Sequence, residues 1–532
     1  MSGFAGVVWI KTLSPTKSSK KANPKTPLFD WPDERYTGVL LHPTALPGST
    51  GIGTLGEEAR RFVDLLAGSG FSYWQTCPLG PTGFGDSPYQ CLSAFAGNSY
   101  LIDLDELVRL GLLFSEEIEE SRTAPGCRVD YGSLWHLRPH LLHLATERLT
   151  SVQERVESEY GAISDFEKEQ NNWLEPYALF RALKEHFNGQ PWYQWPEEFR
   201  AYERAVGQKL SAEIQAAVIE QKHIQYLFFG QWKKLRKYAA ERGVEFIGDI
   251  PIFVALDGAD AWQYPKYFQL DKDLQPIAVA GVPPDYFSET GQLWGNPLYD
   301  WKVLQKNNFD WWMDRFRLNF ELFDLVRIDH FRGFEAAYRI PADAEDAREG
   351  EWEKGPGLAF FTELQKNFPE PRVILEDLGI ITPAVDQLRQ DTGLPGMAVL
   401  HFAFDDPSND YLPHNLHSRT ILYPGSHDND TSVGWYSKEA EPTRDYLRRY
   451  LRVSGEEIAW DLIRAGYASV ANIFIIPFQD LLSLDSEARF NTPGTAEGNW
   501  SWRAAPEMLD QVQNESSAYL RELGDLYDRN RR

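Results

Sequence analysis

Eight short apolar runs, separated by stretches of helical periodicity, restrict this chain to a small set of folds. They are TGVLLHPTAL (37–46), FSYWQTCPLG (71–80), VEFIGDIPIFV (244–254), LFDLVRIDHF (322–331), RVILEDLG (372–379), GMAVLHFAF (396–404), TILYPGSHDND (420–430) and ANIFIIPFQD (471–480). All but FSYWQTCPLG, whose apolar pair is Tyr73–Trp74, carry consecutive Val, Ile, Leu or Phe rather than an alternation of apolar and polar residues, as a strand buried on both faces does. Between the first two, LGEEARRFVDLLAGSG (55–70) sets Phe62, Leu65 and Leu66 at helical spacing and ends on Gly68 and Gly70, which can stop a helix. Alternating strand and helix predict a parallel sheet with helices outside. Eight strands fit a (β/α)8 barrel, with an open doubly wound sheet as the alternative.

A barrel of ~250 residues leaves about as much again for insertions in a 532-residue chain. The expected organisation is a disordered basic tail over 1–36 and a catalytic barrel over 37–532. Within the barrel the widest gap between strands, about 81–243, reads as an insertion, and its part from about 134 to 240, rich in Glu, Leu, Ala, Lys and Gln, reads as helical. The tail holds Lys11, Lys17, Lys20, Lys21 and Lys25 and no acid before Asp30; with no Arg before Arg35 it matches a transit peptide poorly. A formal charge of −25 argues against nucleic acid or anionic membrane as partners, since both are polyanions. No run of ~18 apolar residues marks a membrane span. Cys77, Cys91 and Cys127 are too few for a disulfide framework or a zinc site, so a reducing, cytoplasmic setting is expected.

Three of the apolar runs end in acids: Asp329 in RIDH, Glu376 in ILEDLG and Asp428 in GSHDND. Barrel enzymes carry their chemistry where strands end, and cleavage of a glycosidic bond needs one carboxylate to form or stabilise a glycosyl intermediate and one carboxylic acid to protonate the leaving oxygen. Asp329 lies between Arg327 and His330, cations or donors that would keep it ionised, whereas Glu376 follows Val373, Ile374 and Leu375, whose apolar surroundings would favour its protonated form. Taken singly, each motif has a plainer reading: RIDH as an internal ion pair, Asp377 as a turn cap, and His427–Asp430 as a metal cluster that lacks further His ligands. Aromatic residues make up 14 % of the chain, with 18 Trp, a supply of flat apolar faces suited to sugar rings.

Long motifs in order carry a resemblance that spans about Gly38 to Arg503. They are HPTALPGSTGIGTLG (42–56), GPTGFGDSPYQCLSAFAGNSYLI (80–102), GDIPIFVA (248–255), GVPPDYFSETGQLWGNPLYDW (281–301), VRIDHFRG (326–333), ILEDLG (374–379), GSHDNDT (425–431), and NTPGT with GNWSWR (491–503). In these the chain resembles the amylomaltases, or disproportionating enzymes, the 4-α-glucanotransferases of the α-amylase clan. The resemblance implies Asp329 as nucleophile, Glu376 as general acid/base and Asp428 as the carboxylate that grips sugar hydroxyls and stabilises the transition state. It further implies that Arg327 holds the nucleophile, that His330 and His427 hydrogen-bond the donor sugar, that Asp249 supports the site, that Tyr89 stacks on the same sugar and that Trp294 meets the acceptor. Ser87, Tyr286, Phe287 and Asn491 fall in the same motifs as further substrate contacts. Phe84 stands where related sequences often carry tyrosine, near a possible second glucan groove. No cofactor and no required metal are expected, the substrates being maltooligosaccharides and other α-1,4-glucans.

Segment 281–301, bounded by Gly281, Pro283 and Pro284 at one end and Gly295 and Pro297 at the other, reads as a loop with an apolar surface. Such a loop can cover the site and exclude water, or simply pack against the helical insertion. Two other functions use the same residues: a retaining hydrolase with water as acceptor, and a non-catalytic glucan-binding protein.

Overall fold

The computed structural model describes residues 26–83, 85–122, 128–284, 288–495 and 497–531. Phe84, Tyr286 and Phe287, together with Cys127 and residues 1–25 of the expected tail, lie outside the described residues.

Among the described residues twelve strands form: β1 (Tyr36–Leu40), β2 (Tyr73–Gln75), β3 (Glu245–Ile250), β4 (Ala278–Val282), β5 (Gln292–Pro297), β6 (Leu325–Ile328), β7 (Ala336–Pro341), β8 (Glu351–Lys354), β9 (Val373–Leu375), β10 (Gly396–Val399), β11 (Thr420–Tyr423) and β12 (Ile473–Pro477). The eight apolar runs supply β1, β2, β3, β6, β9, β10, β11 and β12, which pair in parallel in the order β10-β11-β12-β1-β2-β3-β6-β9. Each strand therefore lies beside its predecessor among these eight, with no reversal of winding, which rules out the doubly wound alternative. At the seam, the Leu375 N–H donates to the Pro395 carbonyl (2.9 Å) and the Met397 N–H to the Asp377 carboxylate (2.7 Å), joining β9 to β10 and completing a (β/α)8 barrel.

The barrel interior is a packed core. Leu40, Tyr73, Ile247, Leu325, Ile374, Met397, Ile421 and Ile473, one from each strand, are buried together there. Alternate residues such as Val39, Trp74, Phe246, Val326 and Phe474 face outward into the larger core shared with the helices. Gly38 points inward, where a Cβ would lie 2.6 Å from Cβ of Tyr73 and 2.7 Å from Cδ1 of Ile475; only glycine leaves room for that tyrosine.

Between β2 and β3 the described chain is mainly helical, ending in the long helix Ala212–Ala240, which Ser211 caps by accepting from the Ile214 N–H. Two buried glutamines on this helix grip the segment that follows β2. Gln225 exchanges both its amide hydrogen bonds with the backbone of Gly97 (2.7 and 3.0 Å), and Gln231 does the same with Asp103 (2.7 and 3.1 Å). Trp232, fully buried, packs on Phe246 of β3 and donates its indole N–H to the Leu322 carbonyl (3.0 Å).

The segment expected as a loop at 281–301 differs. Residues Gln292–Pro297 are strand β5, paired antiparallel with β4, and β4 pairs with β7 and β7 with β8 in a second, four-stranded sheet. Glycine and proline at both ends of the segment are local turn signals, while the pairing that makes it a strand comes from β4, as in Val282 opposite Gln292 and Val279 opposite Pro297.

At the foot of the barrel, buried Arg529 donates to the carbonyls of Tyr467 (2.8 Å), Ser469 (3.0 Å), Ala471 (3.0 Å) and Tyr36 (3.3 Å), tying the C-terminus to the entries of β1 and β12. Replacing Arg529 with Ala leaves several buried carbonyls unpaired and is expected to destabilise the protein by roughly 3 kcal/mol or more. Chemical denaturation of the full chain reads this as a lowered midpoint with little change in m-value.

Candidate active site

The site is built from consecutive strand ends. Asp249 and Arg327 are direct partners across β3 and β6, so their side chains share one face of the sheet. Arg327 is buried at the top of the barrel, and its Nη1 donates to Asp249 Oδ2 (2.6 Å). Its Nη2 donates to Asp329 Oδ1 (3.1 Å) and lies 3.8 Å from Glu376 Oε2. Both carboxyl groups therefore gather around one guanidinium nitrogen at the mouth of the barrel.

Both acids are held by the barrel ladder. One residue beyond β6, Asp329 donates its N–H to the Ile250 carbonyl (3.0 Å), and one residue beyond β9, Glu376 donates to Ile328 (3.0 Å). His330 follows in the left-handed region at φ 49°, a conformation that costs a non-glycine residue of order 1–3 kcal/mol. That turn aims the His330 N–H at Glu376 Oε2, so the strain is used to orient the carboxyl group.

Asp428 lies in the loop after β11. Its Oδ1 accepts from Asn491 Nδ2 (2.6 Å), its backbone carbonyl accepts from Arg489 (2.6 Å), and His427 Nε2 stands 3.4 Å from its Oδ2. With 46 % of its side chain exposed, against 25 % for Asp329 and 13 % for Glu376, it is the most open of the three. Tyr89 closes the opposite wall: its hydroxyl donates to Asp249 Oδ2 (2.7 Å) and its ring stacks on His427 at 5.1 Å. Ser87 accepts from the Tyr89 N–H (3.2 Å) and thereby shapes the turn that presents the ring. Trp294, on β5, meets the edge of His330 at 5.0 Å. The hairpin bearing it is tied to the Tyr89 segment by a mutual amide pair between Gln90 and Asn296 (2.9 and 3.2 Å).

A single guanidinium faces several buried acids. Burial pushes Glu376 up to about 8, with Arg327 opposing the rise and the neighbouring Asp329 adding to it. Burial also raises Asp249 to about 7 and raises Asp329, each opposed by Arg327. Glu376 therefore carries a proton at neutral pH, while the direct 3.1 Å donor bond favours charge on Asp329. Of the two parts the sequence left open for His330, cation or donor, the neutral donor is favoured: burial, then the charges of Arg332 and Arg327, lower it to about 4. Burial likewise lowers His427 to about 4. His330 Nε2 is buried without a protein partner, a free hydrogen-bonding position in the wall of the site.

Sequence reasoning missed Arg489 and Trp500. Trp500 packs at 5.8 Å from Tyr89 and 5.9 Å from His427, backing the stacked pair. Its signal was its place in GNWSWR. Arg489 stands two residues before the NTPGT stretch, and nothing local distinguishes it from a surface arginine. Among the described residues, no group of three or more His, Cys, Asp or Glu side chains is placed to hold a metal ion.

A family model for 4-alpha-glucanotransferases matches residues 41–509. The chain belongs to this family. It is 47 % identical over 505 residues to the 4-alpha-glucanotransferase of Thermus thermophilus, covering 93 % of this chain and 99 % of that one. It is 40 % identical over 511 residues to the chloroplastic/amyloplastic 4-alpha-glucanotransferase of Solanum tuberosum, covering 94 % and 88 %. Among solved structures, the amylomaltase from Streptococcus agalactiae in complex with acarbose superposes with a TM-score of 0.88 at 37 % identity, over 94 % of this chain and all of that one. The four-stranded sheet and the Arg327 cluster thus belong to a glucanotransferase of ordinary length for its family.

The electrostatics fix the shape of the pH profile. A reaction that uses Glu376 as its acid is expected to lose kcat/KM as pH rises through about 8, when that proton leaves. Replacing Glu376 with Gln should erase the alkaline limb along with most of the activity. An alkaline limb centred near the usual carboxylate range would contradict this assignment.

Proposed function

We propose that this 4-α-glucanotransferase moves α-1,4-glucan segments through a covalent ester on Asp329. Asp329 attacks the anomeric carbon of the donor as its bond to the glycosidic oxygen breaks, and Glu376 gives its proton to that oxygen. The released chain leaves, the acceptor's hydroxyl enters, and Glu376, now a carboxylate, takes the hydroxyl proton as the ester is displaced. Two inversions give retention, the outcome associated with carboxyl groups ~5 Å apart. The observation that carries this reading is the pairing of both carboxylates with one nitrogen of Arg327.

Asp428 and the unpartnered His330 Nε2 bind hydroxyls of the donor sugar, and Tyr89 contributes its ring, with one face backed by His427. Trp294 lines the acceptor side, where apolar surface favours an incoming sugar over water. Maltooligosaccharides serve as both donor and acceptor, and short donors release glucose. A cytoplasmic setting is supported by the free thiols of Cys77 and Cys91.

Incubation of the purified chain with maltotriose is expected to give glucose and a ladder of longer glucans while total reducing ends stay nearly constant. Steadily rising reducing ends would mean hydrolysis, and no change in the ladder would leave glucan binding alone. Asp329→Ala should lower kcat on the order of 10⁴-fold and Glu376→Gln by ~10²–10⁴-fold. Trp294→Ala should leave the carboxylates intact yet raise the share of donor lost to water by roughly several-fold, read as reducing ends formed per transfer event.

A further inference from the structure

The loop that carries His427 and Asp428 rests on three buried polar side chains that never touch Asp428. His401 lies in the turn after β10, Ser432 opens the helix Ser432–Lys438 at the end of the β11 loop, and Asp480 sits in the short helix Phe478–Leu481 after β12. They come from three neighbouring strands and meet beneath the loop. We propose that His401, Ser432 and Asp480 form a positioning latch that fixes the backbone of the Asp428 loop for glucan transfer. The inference rests on the reading of Asp428 as the carboxylate that grips the donor sugar.

The geometry gives the latch a direction. Asp480 accepts twice from Ser432: Oδ1 from the backbone N–H (2.8 Å) and Oδ2 from the hydroxyl (2.7 Å). The hydroxyl has one proton, already committed to Asp480, so it serves as acceptor toward His401 Nε2 at 3.1 Å. That makes His401 the Nε2–H tautomer, with Nδ1 bare and unpartnered. The bare edge of the ring faces Gly425, where an added Cβ would lie 2.6 Å from Cε1 and 2.9 Å from Nδ1. The His401 N–H donates to the Pro424 carbonyl (3.0 Å), and Trp435 stacks on the ring at 4.4 Å with the planes 6° apart. His401 is thus clamped on its face by Trp435 and at Nε2 by Ser432, and its position dictates the path of Gly425, three residues before Asp428.

A purely structural contact would not call for this chemistry. Among the described residues no Lys or Arg pairs with Asp480 within salt-bridge distance, and a buried carboxylate without a cation is costly to retain. Its only compensation here is the pair of Ser432 donors, which burial partly overrides by raising the group to about 6. A charge-assisted bond to serine is short and stiff, a property that suits an alignment device. Displacements of about 1 Å at a reacting group can lower rates ~10²-fold.

The test is a double-mutant cycle on the full chain. Ser432→Ala keeps the backbone bond to Asp480 but removes the hydroxyl link to His401. It is expected to lower kcat/KM for maltotriose disproportionation roughly 10- to 100-fold and to weaken acarbose binding, measured by calorimetry, by a similar factor. Ser432→Thr, which restores the hydroxyl, should recover most of both. In an Asp428→Asn background the loop has lost the group it aims, and Ser432→Ala should change acarbose affinity less than about 2-fold. Equal losses in both backgrounds, or unchanged acarbose binding in Ser432→Ala, overturn the latch. Should Ser432→Ala fail to fold, Asp480→Asn takes its place in the same cycle with the same expectations. An unmodified chain that transfers no glucan would instead sink the functional reading, and is told apart by its own maltotriose assay.

Discussion

The site depends on one buried cation. Arg327 enters the barrel interior because β6 alternates its side chains, with Leu325 and Arg327 inward and Val326 outward. A guanidinium withdrawn from water is costly unless acids compensate it, and here Nη1 is taken by Asp249 and Nη2 by Asp329, while Nε is buried without a protein partner. The dependence runs both ways, since Asp249 and Asp329 are stable as neighbours only with that charge between them. Tyr89 joins the set through Asp249 and carries it to the His427 ring. One cluster therefore couples the segment after β2, the ends of β3 and β6 and the loop after β11, and removal of Arg327 would leave Asp249 and Asp329 without their shared cation.

Rigidity in the surrounding scaffold serves the same end. Asp329 and Glu376 sit where their own N–H groups still belong to the barrel ladder, so their carboxyl groups move only as far as their side-chain torsions allow. Elements that are not part of the barrel are tied back by side-chain amides acting as artificial backbone: Gln225 and Gln231 on the segment after β2, and Asn296 with Gln90 across the hairpin. Such pairs satisfy donor and acceptor together, which is what a buried polar contact needs to be stabilising.

The barrel was legible because burial on both faces leaves a signature in consecutive residues: VRI, VIL and IFII need no partner to be recognised as strands. Asp329 and Glu376 were legible for the same reason, since an acid directly after such a run has few places to be except the mouth of the barrel, whereas Asp428 sits five residues beyond β11. The four-stranded sheet was not, because β5 alternates Gln, Leu, Trp and Gly beside turn residues and gains its strand character from β4, which itself pairs with β7 on its other edge. Arg489 was hidden similarly, being a site residue only through the fold that brings it to the Asp428 carbonyl. The charge of His330 was left open between cation and donor, as a histidine's protonation follows from burial and from Arg332 and Arg327, which local sequence does not weigh.

The neutrality of the histidines explains how the cluster keeps a usable proton. Had His330 and His427 been imidazolium ions, three cations would surround Glu376 and Asp329, and both carboxyls would ionise well below neutral pH. With both imidazoles held at about 4, Arg327 is the principal cation shared by these acids, and it binds Asp329 more closely than Glu376. The asymmetry of 3.1 against 3.8 Å then divides the labour: the nearer carboxylate keeps its charge and the farther keeps its proton. Burying two histidines, usually an expense of desolvation, here supports the proposed division between an acid and a nucleophile.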